Sequence, residues 1–131
     1  MTTIPVNPLT DPEVEQFYAY GFAQYGTGNW SEAADVFRVL CTRRPLEPRF
    51  WFGLGATLQS AENYSDALHA WAMAALLRSN DPFPHFHAAE CYFSLEDKNE
   101  GAKALKQVTL RIEKEDPLQG KIDLLKEQWK V

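Results

Sequence analysis

The sequence predicts an all-α chain of three stacked helical hairpins closed by a final helix. Three observations carry this reading. Shifted by 34 residues, the chain falls on itself without a gap. Gly21 meets Gly55 and Ala89, Ala33 meets Ala67, Phe37 meets Trp71 and Leu105, Leu40 meets Ala74 and Val108, Trp30 meets Tyr64, and Pro48 meets Pro82. Helix-start signals recur in the same register: Asn29, Asn63 and Asp97 are each followed three residues later by Glu32, Asp66 and Glu100. A capping oxygen there satisfies an orphan backbone N–H, and the acid favours the positive helix end. Finally, no stretch reads as a strand. Self-similarity at one fixed period marks units that cannot bury their apolar faces alone and must stack.

Each element has its own signal. Helix 12–26 opens beside Pro12, and helices 48–60 and 82–94 open beside Pro48 and Pro82, since proline fits the first helical turn. Their partners, 30–44, 64–78 and 98–114, start behind the three capping residues. Helix 117–130 sets Leu118, Ile122, Leu125 and Trp129 on one face at helical spacing and is expected to cap the open end of the stack. The first 11 residues, with Asn7-Pro8 among their weak turn signals, read as a loose tail. Residues 12–131 then form one domain, with repeats at about 14–47, 48–81 and 82–115.

Composition narrows the function. Thirteen Lys and Arg against 18 Asp and Glu leave a net charge of −5, which argues against a nucleic-acid partner, whose phosphates need clustered cations. No apolar run approaches the ~20 residues of a membrane span, and the N-terminus lacks the basic and apolar regions of a secretory signal. Two cysteines, Cys41 and Cys91, are too few for a disulfide framework and read as buried, reduced thiols. A soluble, cytoplasmic protein is expected, without stable membrane insertion. No catalytic constellation stands out: Gly26-Thr27-Gly28 lacks the spacing and the lysine of a phosphate loop. His87 and Cys91 stand at metal-ligand spacing, but two ligands do not close a site. The expectation is no enzyme, no cofactor and no metal.

Aromatic residues crowd between Phe17 and Phe93. On the first helix of each hairpin one stripe must be core: Phe17, Tyr20, Gly21 and Gln24, then Trp51, Leu54, Gly55 and Leu58. A second stripe lies further round, at Tyr18, Phe22 and Tyr25, then Phe52, Ala56 and Gln59, then Phe86, Glu90 and Phe93. A helix with one buried side should be polar here, yet most of these positions are aromatic. Any one ring taken alone fits a core. The stripe as a whole is too wide for a three-hairpin stack to bury, so some rings are expected to line an open groove, and contiguous exposed apolar surface marks a binding site. Tyr and Phe with small gaps at Ala56 and Gly21 suit an extended, partly apolar peptide.

The repeat itself resembles the tetratricopeptide repeat, a 34-residue helix–turn–helix with small residues at two fixed places, here Gly21, Gly55 and Ala89, and Ala33, Ala67 and Gly101. Those small residues let the helices approach while Phe37, Trp71 and Leu105 pack between them. Longer strings narrow the resemblance. Gly21-Phe22-Ala23-Gln24-Tyr25, Arg49-Phe50-Trp51-Phe52-Gly53-Leu54-Gly55-Ala56 and above all Phe86-His87-Ala88-Ala89-Glu90-Cys91 are similar to class II chaperones of bacterial type III secretion.

That resemblance implies a concave face that clasps an extended segment of a hydrophobic translocator, with pockets for spaced Pro and Leu side chains. It implies a cytoplasmic bacterial protein that keeps such clients soluble and unassembled before export. The matching positions are Tyr18, Phe22, Tyr25, Phe52, Phe86 and Phe93. The alternative is a tetratricopeptide scaffold or co-chaperone for another partner, such as a needle subunit. A carboxylate clamp would need cations along the groove, where the first helices offer only Arg49. Family members usually carry a further, often dimerising helix ahead of the first repeat. About ten residues precede it here, so a monomer or weak homodimer is expected.

Overall fold

A computed structural model describes residues 9–131, which form seven helices: α1 (Asp11–Gly26), α2 (Trp30–Arg43), α3 (Pro48–Ser60), α4 (Tyr64–Leu77), α5 (Phe83–Ser94), α6 (Lys98–Thr109) and α7 (Pro117–Trp129). Each helix packs on the next through α6, α1 also touches α3, and α7 closes the far end against α6. α1–α2, α3–α4 and α5–α6 are the three expected hairpins.

Small residues let the hairpins close. An added Cβ at Gly53 would stand 2.6 Å from the Phe37 ring, and one at Gly55 would stand 2.7 Å from the Trp71 indole. Real Cβ atoms do not approach that closely, so glycine at these places is what admits the two large rings. The turn between the helices of each hairpin also repeats. Gly28, Glu62 and Glu96 occupy one register and share a left-handed backbone, with φ of 77°, 63° and 62°. Only the first has the residue that takes this conformation without strain.

Two cores result. One runs through α1 to α4, with Val36, Phe37, Leu40, Phe50 and Ala74 almost fully buried, and the other lies between α5, α6 and α7 around Phe93, Leu105, Val108 and Ile122.

Several sequence expectations are corrected. Residues 1–8 of the expected tail lie outside the described residues, but 9–11 belong to the fold. Leu9 is buried, its carbonyl accepts from Arg44 at 2.9 Å, and Thr10 caps α1 in a reciprocal box with Glu13. Tyr20, assigned to the core, is exposed and donates to Glu32 instead, because within the described chain no earlier hairpin covers α1. Of the three capping residues only Asp97 accepts a backbone N–H. The Asn29 and Asn63 amides donate to Gln24 and Asp66. Helix α6 ends at Thr109 rather than 114. Beyond it, Arg111 folds back onto the Gln107 carbonyl at 2.9 Å and reaches the Ser79 carbonyl at 2.7 Å, drawing the chain into a loop before Asp116 caps α7.

Candidate functional site: an aromatic cleft

The first helices of the hairpins wall a cleft whose floor comes from the second helices. Phe37 and Trp71 form that floor, both buried. Tyr18, Phe22 and Tyr25 rise on one side, Phe52 and Ala56 in the middle, and His87 on the far side. The hollow over Phe37 and Phe52 measures about 380 Å³. It runs into a second of about 490 Å³ bordered by Gln59, Tyr64, Glu90 and Ser94. Phe22 is 47% exposed, a large apolar ring left open to solvent over a packed floor.

Ring packing holds these walls. Tyr18 meets Phe22 edge-on at 5.0 Å, Phe22 meets Phe37 at 5.9 Å, and Phe52 stands perpendicular to Trp71 at 5.5 Å. Such edge-to-face contacts stabilise beyond the area they bury. Phe37 and Trp71 being core residues, the rings packed on them stand in fixed positions.

A polar chain stitches three helices along the floor. Trp71 Nε1 donates to Gln59 Oε1 at 2.9 Å, Gln59 Nε2 donates to Glu90 Oε1 at 3.1 Å, and His87 Nδ1 lies 2.7 Å from the same oxygen. His87 also stacks on the Trp71 indole at 4.7 Å. Burial pushes the Glu90 carboxyl up, but the bonds from His87 and Gln59 outweigh it and hold the group below the usual carboxylate value. At the opposite end Arg49 lies over the Tyr18 ring and is gripped by Glu15, at 2.8 and 3.2 Å, and by Glu47. Burial in turn raises the Tyr18 phenol.

The structure brings Tyr18, Phe22, Tyr25, Phe52, Ala56, Gln59 and Glu90 to this cleft. It does not bring Phe86 and Phe93, which are corrections. They are 6% and 1% exposed and belong to the second core. The Phe93 ring lies flat on Trp129 of α7 at 5.6 Å, and it occupies the place where a side chain at position 101 would stand. A Cβ on Gly101 would come within 2.5 Å of it. On α5 the open face carries His87, Glu90 and Ser94 instead. Sequence reading missed His87, Ser94, Arg78 and the floor role of Trp71. One signal was available: Gly101 stands where the other hairpins have Ala33 and Ala67, and the extra room serves Phe93.

The thiols are remote from chemistry. Cys41 and Cys91 are buried, and burial pushes each up to about 12. Among the described residues no three His, Cys, Asp or Glu side chains gather in a metal-binding group, and no helix is long and apolar enough to cross a membrane.

Comparison with known proteins finds the same helical-hairpin fold. The tetratricopeptide repeat family matches residues 14–45 and 48–81, the first two hairpins. Low calcium response locus protein H of Yersinia pestis is 36% identical over 90 residues, 69% of this chain and 54% of its own length. The chain therefore spans about half the length of this curated relative. The structure of PcrH in complex with the chaperone-binding region of PopD superposes with a TM-score of 0.85 at 30% identity, covering 96% of this chain and 97% of that one. The Yersinia enterocolitica type III secretion chaperone SycD, in complex with a peptide of the translocator YopD, superposes with a TM-score of 0.86 at 29% identity, covering 95% and 97%.

Proposed function

We propose that this chain, which belongs to the tetratricopeptide-repeat translocator chaperones of bacterial type III secretion, clasps an extended segment of a hydrophobic secreted translocator across the Phe22–Phe52 cleft. Residues 12–131 act as one binding unit in the bacterial cytoplasm, with repeats at about 14–47, 48–81 and 82–115, and hold the client unassembled before export. The role is binding, without catalysis.

One observation carries the reading. Phe22 is left half-exposed above the buried Phe37 ring, in a hollow large enough for apolar side chains of an extended peptide. Folding alone does not explain an open aromatic ring on so ordered a floor, whereas a partner that covers it does. The bound partners of PcrH and SycD are a chaperone-binding region of PopD and a peptide of the translocator YopD, which sets the class of ligand proposed.

The test is a titration of a fluorescently labelled peptide from the chaperone-binding region of PopD. Wild type should bind, and Phe22→Ala and Tyr18→Ala should each lose on the order of 2 kcal/mol of binding, a hot-spot value. Both variants should melt close to wild type. Equal affinity for wild type and Phe22→Ala, or unfolding of both variants, would sink the proposal.

A further inference from the structure

One part of the cleft, the hollow over Phe52, is charged in one sense only. The chain has a net charge of −5, yet the hollow over Phe52 is lined by two guanidinium groups, Arg49 and Arg78, and by no carboxylate. The two arginines differ in what already holds them. Arg49 is saturated by Glu15 and Glu47.

Arg78, at the end of α4, lies 5.2 Å over the Phe52 ring with its side chain about half exposed. Its ionic partner is Asp81, at 3.9 Å, the outer limit of an ion pair. The other oxygen of Asp81 already accepts the Phe83 N–H at 2.8 Å, and the Arg78 side chain makes no hydrogen bond to any described residue. The Phe52 ring thus steadies a guanidinium whose planar fork of donors is unspent.

Resting on the groove reading above, we infer that Arg78 is a specificity-determining residue and that the bound segment places an Asp or Glu side chain against it, beside the apolar residues that fill the hollow. A carboxylate matches the guanidinium fork with two parallel bonds, which no neutral side chain reproduces. The other end of the groove works in the opposite sense. Glu90 stands there as a carboxylate held by His87 and Gln59, and it repels an acid. Positive at Arg78 and negative at Glu90, the groove sets the direction in which a segment lies as well as its composition.

The experiment pans phage-displayed random dodecapeptides on wild type, Arg78→Glu and Phe22→Ala. Wild type should enrich Asp or Glu at one constant offset from the apolar anchors, and Arg78→Glu should lose that enrichment and gain Lys or Arg at the same offset. Selected peptides are then titrated, with and without the acid changed to its amide, against wild type and Arg78→Gln. Either change alone should weaken binding about fivefold, and both together should add little more, the signature of a direct pair. Peptides that require Phe22 but show no acid, or whose losses simply multiply, overturn the inference and leave the groove reading standing. Peptides recovered equally by Phe22→Ala overturn both.

Discussion

Tyr25 on α1 and Phe93 on α5 stand in the same register, two repeat lengths apart, and meet opposite fates. Tyr25 lines the open cleft, half-buried against Trp30 at 5.3 Å. Phe93 is sealed between Gly101 and Trp129. The segment C-terminal to each hairpin makes the difference. Two repeat lengths before Trp129 stands Ala61, too small to fold over the end of α1. In a stack, each unit's exposure is set by its neighbour, so identical positions in successive repeats carry different work. The two earlier hairpins leave rings along the open cleft, while the third uses its rings to dock the closing helix.

Breaking the core side of this comparison should give the largest effect. Phe93→Ala should lower the unfolding free energy by about 3–5 kcal/mol, the cost of truncating a buried aromatic, and Tyr25→Ala by less than half as much. Urea unfolding followed by circular dichroism measures both, and equal losses would abolish the distinction. Next, Gly101→Ala places a Cβ against the Phe93 ring and should destabilise by about 1–3 kcal/mol, although alanine is native at the aligned positions 33 and 67. A neutral result would mean that Phe93 is not seated as described.

Trp129→Ala should cost about 1–2 kcal/mol and make the third hairpin resemble the first by uncovering Phe93, which increased binding of an apolar dye would report. The smallest effect is a pH dependence at the joint between the second and third hairpins. The Glu90 carboxyl is held below its unfolded value, so its contribution is present above about pH 4.3 and is lost as pH falls through the lower folded value. Glu90→Gln should flatten that part of the acid limb of the stability curve, with Gln59 and His87 still in place. An unchanged acid limb would show that the polar chain contributes nothing to the joint.

Much of this was legible before any coordinates. Periodicity and the proline register located the helices, and six of the seven end within a residue of the expected place. The exception, α6, stops where Arg111 finds the Ser79 carbonyl, a contact thirty-two residues away that no local pattern announces. Most of the cleft was also visible, as an aromatic stripe at Tyr18, Phe22, Tyr25 and Phe52 too regular and too wide to be buried. Extending that stripe by strict repetition to Phe86 and Phe93 failed because repetition fixes where a side chain sits on its helix, and says nothing of what will cover it.

By itself, then, the sequence determined the helices, their pairing and the presence of a second apolar face, because these depend on spacings within one unit. Only the tertiary structure decided which rings remain open. It laid Trp129 over Phe93, left Phe22 uncovered, set His87 on Trp71 and brought Arg78 over Phe52. Exposure is a property of the whole packed surface: a ring is a binding site or a core residue according to whether a distant segment reaches it, and that reach is not encoded in the repeat.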